Sequence, residues 1–233
     1  MRLEISTVRY RTDSAHAPSF LATADLQGRE RGGENRLLGE VLADEIETLM
    51  DIGDLPELDL CLLCGDFYDY PDLRKLGGTG DVAPAINALS YVAERTFFVL
   101  GNHDEVNVSE LEPEITVLDG DAVNTDTFSV GGVSGIVGNP RRHNRKTEQE
   151  FIDAVDLCCA WDVDLMLMHQ GPVGDRKDTR GMVEINQVLR KYSDMLVLFG
   201  HCHWPEDPFC KEGSNLYCNV DARALVFIPE DER

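Results

Sequence analysis

The sequence predicts an α/β protein with two β-sheets and helices on the outside. Three observations carry this. The two ends of the chain alternate apolar strand candidates with helical periodicity. The middle is a run of short strand-like pieces broken by Gly and Asp. Five apolar strand candidates end in polar clusters, the pattern of strands whose carboxyl ends meet at one crevice.

The elements follow in order. Leu3 to Tyr10 alternates weakly and reads as a strand, and Ser19 to Ala24 is a short apolar strand ending in Asp25. Glu34 to Met50 carries Leu37, Leu38, Val41, Leu42, Ile46 and Leu49 at helical spacing. Leu58 to Cys64 is a buried strand that ends in Gly65-Asp66. A glycine-rich loop, Gly77 to Gly80, precedes a helix over Val82 to Ala93. Thr96 to Leu100 is a buried strand ending in Gly101-Asn102-His103-Asp104. Between Ile115 and Val137 the short pieces ITVL, AVNT, TFSVGG and VSGIVG suggest antiparallel pairing. Thr147 caps a helix with Glu150 three residues on, and that helix runs to about Ala160. Val163 to Met168 is a strand before His169, and Met182 to Tyr192 is a helix. Met195 to Phe199 is a strand before Gly200-His201-Cys202-His203, and short strands close the chain near Leu216 to Val220 and Arg223 to Ile228.

The chain has 233 residues, 42% of them hydrophobic and 27% charged, with no linker and no internal repeat, which predicts one domain over residues 1–233. With 21 Lys+Arg against 43 Asp+Glu the formal net charge is −22. That field repels phosphate backbones, so nucleic-acid binding is not expected. No stretch approaches 18 apolar residues, and Met1 to Tyr10 lacks an apolar signal core. A cytoplasmic protein without a membrane partner is the expectation. The 7 cysteines are expected as reduced thiols. Cys61 and Cys64 look like a metal motif, but residues three apart on a strand face opposite ways.

The polar clusters hold most of the chemistry. They are Asp25-Leu26-Gln27, Gly65-Asp66, Gly101 to Asp104, His169 and His201-Cys202-His203. In extended chain Asp25 and Gln27 project to one side, as do His201 and His203, while Cys202 points away. Carboxylates, imidazoles and a carboxamide without thiolate suit Mn²⁺, Fe or Zn²⁺. Asp66 could bridge two ions, which at a spacing of about 3.5–4 Å clamp both oxygens of an in-line phosphoryl displacement.

These blocks, ADLQG, CGDFYD, LGNHDE, LMHQGP and FGHCHW, resemble in order the motifs of the calcineurin-like metallophosphoesterase superfamily. The resemblance spans residues 25 to 203. It implies a four-layer α/β/β/α sandwich with two mixed sheets. It implies one ion held by Asp25, Asp66 and His203, and a second by Asp66, Asn102, His169 and His201. His103 would stabilise charge at the phosphate or protonate the leaving oxygen, oriented by Asp104, and a metal-bound hydroxide would attack. The family usually has His where this chain has Gln27. A neutral carboxamide oxygen is a weaker donor, which tilts the first site toward Mn²⁺ or Mg²⁺.

Other candidates follow from charge and position. The run from Asn139 to Lys146 is the densest basic segment, and Arg141 and Arg142 could neutralise substrate phosphate, with His143 beside them. Arg29 and Arg31 follow the first motif and could reach substrate. Phe67, Tyr68 and Tyr70 could stack on a base or pack their own loop. His16 is expected to be exposed. The function these readings support is hydrolysis of a phosphomonoester or phosphodiester of a small molecule such as a nucleotide. An inactive scaffold binding a protein partner and a DNA nuclease of the same superfamily are the alternatives. Oligomeric state is not encoded in any of these features.

Overall fold

The computed structural model describes residues 4–11, 17–73, 77–125 and 127–230; His16 lies outside them. The chain runs β1 (Ile5–Tyr10), β2 (Phe20–Ala24), α1 (Leu38–Asp51), β3 (Leu58–Leu63), β4 (Gly80–Asp81), α2 (Ala83–Ser90), β5 (Ala93–Phe98), β6 (Asp104–Glu105), β7 (Ile115–Val117) and β8 (Asp121–Asn124). It continues β9 (Ser129–Val133), β10 (Ile136–Val137), β11 (Arg145–Lys146), α3 (Glu148–Cys159), β12 (Leu165–Gln170), α4 (Val183–Leu189), β13 (Leu196–Gly200), β14 (Phe209–Glu212), β15 (Asn215–Asn219) and β16 (Arg223–Pro229).

Two six-stranded mixed sheets form the centre, with orders β1-β16-β2-β3-β5-β7 and β14-β15-β13-β12-β9-β8. In the first, only β16 and β2 pair antiparallel; in the second, the two edge pairs do. Strand alternation sorts the side chains into three apolar slabs. Leu21, Cys61, Leu63 and Phe98 pack under Leu42 and Ile46 of α1 and Ile86 and Leu89 of α2. Phe20, Leu62 and Phe97 meet Leu167, Leu198 and Cys218 between the sheets. Met166, Met168, Val197 and Phe199 pack against Phe151 of α3 and Ile185 of α4. The result is the expected α/β/β/α order. Each large side chain so buried stabilises by roughly 1.5–3 kcal/mol. Cys61 and Cys64 fall in different slabs, so they share no ligand.

Helix ends differ where tertiary contacts compete. Helix α1 begins at Leu38 rather than Glu34, because Leu37 is bridged antiparallel to Arg29. The Glu40 carboxylate accepts from the Leu37 N–H at 2.8 Å and takes the place of a side-chain cap. Helix α2 stops at Ser90, since Ala93 already pairs with Leu58 as the start of β5. At α3 the expected capping box is present: Glu150 N donates to Thr147 Oγ1 at 3.2 Å, and Thr147 N donates to Glu150 Oε2 at 2.8 Å.

The middle pairs less uniformly than expected. Among the described residues of this segment, β8 and β9 form the one antiparallel hairpin; β7 joins the first sheet parallel to β5, and β10 pairs parallel with β11. Strand β14 is an addition to the sequence reading. It is short, and it folds back on β15 through Gly213 at φ 64°.

Candidate metal centre

The two sheets present their carboxyl edges side by side. Asp25 follows β2 and Asp66 follows β3, both in the first sheet. His169 lies on β12, at an irregularity in its pairing with β13 between Met168 and Gln170. Such a bulge re-aims a side chain that regular alternation would send elsewhere. His201 follows Gly200 at the end of β13.

Asp25, Asp66 and His201 hold left-handed backbone at φ 55°, 61° and 66°. Non-glycine residues rarely sit there, and the cost is of order 1 kcal/mol each. Hydrogen bonds fix the turns. Asp25 N donates to Gly65 O at 2.8 Å, and His201 N donates to Asp25 Oδ2 at 2.9 Å. Two glycines allow the close approach: a Cβ on Gly200 would lie 2.1 Å from Asp25 Oδ2, and one on Gly101 would lie 2.0 Å from Asp66 Oδ1.

Asp25, Asp66 and His169 each bring a ligand atom within 4.8 Å of the others. His169 Nε2 stands 3.4 Å from Asp66 Oδ2, while its Nδ1 lies 2.7 Å from the Cys64 carbonyl. Nδ1 therefore carries a proton in that contact, and Nε2 faces the carboxylates. Burial alone would lower the His169 pKa, but Asp66 and Asp25 override it and raise it to about 10. Burial pushes the Asp25 carboxyl well above its usual range, with the charges of Asp221 and Asp66 adding to it and His169 opposing. Burial also acts to raise Asp66, yet His169 and the His103 N–H, 2.9 Å from Oδ1, bring it net below the usual value. His201 is depressed to about 4 by burial and by the nearby His169, whose ring centroid is 5.1 Å away.

The remaining expected residues surround this cluster. Asn102 is buried, and its Oδ1 has no hydrogen-bond partner. Gln27 reaches the centre by its nitrogen: Nε2 donates to Asp66 Oδ2 at 3.3 Å, and Oε1 is turned toward Gly77. His201 and His203 are not among the three residues whose ligand atoms converge. His203 is 52% exposed, with Nδ1 3.2 Å from Asp221 Oδ1. Asp221 carries no flanking motif, and its only sequence signal is a carboxylate just past a late strand.

Asp104 takes a different place from the one expected. Its carboxylate accepts from the backbone N–H groups of Asp66 at 2.7 Å, Phe67 at 2.9 Å and Gly101 at 2.7 Å. It ties the Asp66 and Asn102 loops together and does not orient the His103 ring. The His103 Nδ1 lies instead 3.0 Å from Thr79 Oγ1. Burial and the Asp66 charge raise Asp104 to about 6, against the pull of its three N–H donors.

The basic segment lies over the same loops. His143 Nε2 is 2.6 Å from the Asp104 carbonyl, and Asn144 Nδ2 donates to the carbonyls of Gly101 at 2.7 Å and Asp104 at 2.9 Å. Arg141 and Arg142 are exposed. Lys146 is occupied by Asp119 and the Ser134 carbonyl. Arg145 packs against Gly138, and its charge is felt at His201. Arg29 is spent on the Asp69 and Asn35 carbonyls and lies 5.5 Å over the Tyr68 ring. Phe67 is buried in the core, Tyr68 and Tyr70 meet edge to face, and both tyrosines pack on Gly80 and Gly78. These rings pack their loop.

Residues 18–213 match the family model of the calcineurin-like phosphoesterases. The chain belongs to that family. A dimetal phosphatase from Danio rerio has the same fold at a TM-score of 0.51, with 12% identity over 86% of this chain and 86% of that one. A hypothetical protein from Thermus thermophilus aligns at a TM-score of 0.51 and 14% identity, covering 89% and 76%. No curated protein matches the chain.

Membership in the calcineurin-like phosphoesterases implies divalent metal ions, and the residues here fit them. The ligand atoms of Asp25, Asp66 and His169 converge, and the buried Asn102 Oδ1 has no hydrogen-bond partner. An unpaired buried acceptor costs about 1–3 kcal/mol, which a cation would recover. The donors are oxygen and imidazole nitrogen, the set that suits Mn²⁺, Fe, Zn²⁺ or Mg²⁺. Among the described residues no helix is long and apolar enough to cross a membrane.

Proposed function

We propose that this calcineurin-like phosphoesterase is a dinuclear, Mn²⁺-preferring hydrolase of small phosphorylated molecules such as nucleotides. The observation that supports it best is the buried convergence of Asp25, Asp66 and His169, whose ligand atoms lie within 4.8 Å of one another, with the buried Asn102 Oδ1 lacking a hydrogen-bond partner. Asp25, Asp66 and His203 would hold one ion, and Asp66, Asn102, His169 and His201 the other. When bound, the ions supply Lewis acidity to the phosphoryl oxygens and lower the pKa of water.

The chain's own residues do the rest. His103 hydrogen-bonds the leaving oxygen of the phosphate. Asp104 fixes the two loops that carry Asp66 and Asn102, through its three backbone contacts. Arg145, with Arg141 and Arg142 at the rim, offsets phosphate charge. The net charge of −22 favours a small substrate over a polyanion.

The test is hydrolysis of an aryl phosphomonoester and its bis-aryl diester with added Mn²⁺, beside His103→Ala. Metal-dependent turnover is expected, and on an alkyl phosphate, whose leaving oxygen needs the proton, His103→Ala is expected to lower it by about 100-fold or more. The preferred ester separates phosphatase from phosphodiesterase. A second reading, an inactive scaffold for a protein partner, draws on Gln27, which offers a donor nitrogen where the family usually has an imidazole. Metal at one site only, with neither ester turned over, would favour it.

A further inference from the structure

We propose that Thr79 is the positioning residue for His103, in the place expected for Asp104. The proposal rests on the reading of His103 as the group that serves the leaving oxygen. The geometry comes from the glycine-rich loop. Gly80 N donates to the His103 carbonyl at 3.2 Å, and β4 pairs with β6 so that Gly80 sits opposite Asp104. A Cβ on Gly78 would lie 2.8 Å from the Tyr70 ring, and one on Gly80 2.5 Å from the Tyr68 ring. The two rings therefore hold the loop against the His103 backbone, with Thr79 between them. Its hydroxyl lies 3.0 Å from His103 Nδ1. The carboxylate of Asp104 is already engaged by three N–H groups.

A hydroxyl differs from a carboxylate as a partner. Beside a protonated ring it can only accept from Nδ1–H, which leaves Nε2–H for the substrate, and it brings no negative charge. The His103 ring keeps its full positive field when protonated. Giving its Nε2 proton to the leaving oxygen leaves a neutral ring with Nδ1–H still bound to Thr79, so the ring does not turn during the transfer.

The test uses the full chain. Thr79→Val replaces the hydroxyl by a methyl of similar size, and Thr79→Ser keeps it. In metal-free protein with nitrogen-labelled histidine, long-range proton–nitrogen spectra read the His103 ring. Wild type and Thr79→Ser are expected to share one ring signature, and Thr79→Val to shift it. With Mn²⁺, Thr79→Val is expected to lower kcat about tenfold on an alkyl phosphate with KM nearly unchanged. An activated aryl ester, which needs little help at its leaving oxygen, should be turned over almost as before. In His103→Ala, Thr79→Val is expected to add no further loss. A loss that persists in His103→Ala, or a ring signature that Thr79→Val does not move, overturns the proposal and leaves the phosphoesterase reading standing. If wild type turns over no ester, that reading fails, and the ring spectra alone decide the Thr79 contact.

Discussion

His169 Nε2 from the second sheet stands 3.4 Å from Asp66 Oδ2 of the first. Each residue sets the charge of the other. The carboxylate holds a proton on a buried imidazole, and the imidazole helps keep the carboxylate ionised. A cation at this point must displace that proton.

The pH dependence follows with a definite sign. The folded pKa of His169, about 10, lies above its usual 6.5. Its protonated form therefore stabilises metal-free protein, fully below pH 6.5, and the contribution is lost as pH rises through 10. Asp25 is also raised, so its contribution is likewise lost with rising pH. Metal-free protein is expected to lose thermal stability between pH 7 and 10, while Mn²⁺ affinity grows about tenfold per pH unit for each proton released. Calorimetry in buffers of different ionisation enthalpy counts those protons. A pH-independent affinity would contradict the His169 assignment.

Asp66→Asn should be the most damaging ligand change, because in the proposed centre Asp66 would serve both ions, and because it pairs with His169. Metal content is expected to fall at both sites, and activity by at least about 100-fold. Elemental analysis against Asp25→Asn makes the comparison, since Asp25 would serve one ion only.

Gly200→Ala tests the approach of the two sheets. Its Cβ would meet Asp25 Oδ2 at 2.1 Å and the Ala24 Cβ at 2.7 Å. A loss of about 1–3 kcal/mol in urea unfolding is expected, as for an overpacked core. An unchanged midpoint would mean that β13 stands off from Asp25.

Asp104→Ala leaves three buried N–H groups without an acceptor. The expected cost is about 3 kcal/mol or more in stability. A variant that is fully stable but inactive would instead return Asp104 to a direct role at His103.

Arg145→Ala is expected to raise KM for a phosphomonoester by about tenfold, and more than Arg141→Ala or Arg142→Ala. The arginine beside Gly138 and His201 is the one with a fixed place near the centre. Equal effects from all three would point to diffuse charge rather than a seated contact.

What could be read from sequence were the features that depend on period and order. Alternation in LDLCLLC placed Cys61 and Cys64 in different slabs, and the strand-end clusters placed Asp25, Asp66 and His169 together. What could not be read depended on loops meeting across the chain. Nothing local in GGTGD announces that Thr79 reaches His103, because rings at Tyr68 and Tyr70 place that loop. The family resemblance made Asp104 the ring partner of His103, yet its carboxylate turns back onto backbone. Arg145 was hidden in a basic run whose outermost members are the most conspicuous. Strand β14 was missed because its four residues, FCKE, are too short a run to show a period.

The slab between the sheets has one more consequence. It works as the spacer of a pair of calipers, with Asp25 and Asp66 on one jaw and His169 and His201 on the other. Phe20, Leu62, Leu167 and Leu198 set the gap. Ions that differ in radius call for different gaps. Ion selectivity in this chain can therefore drift through changes of a methylene or two deep in the interior, while every ligand stays the same.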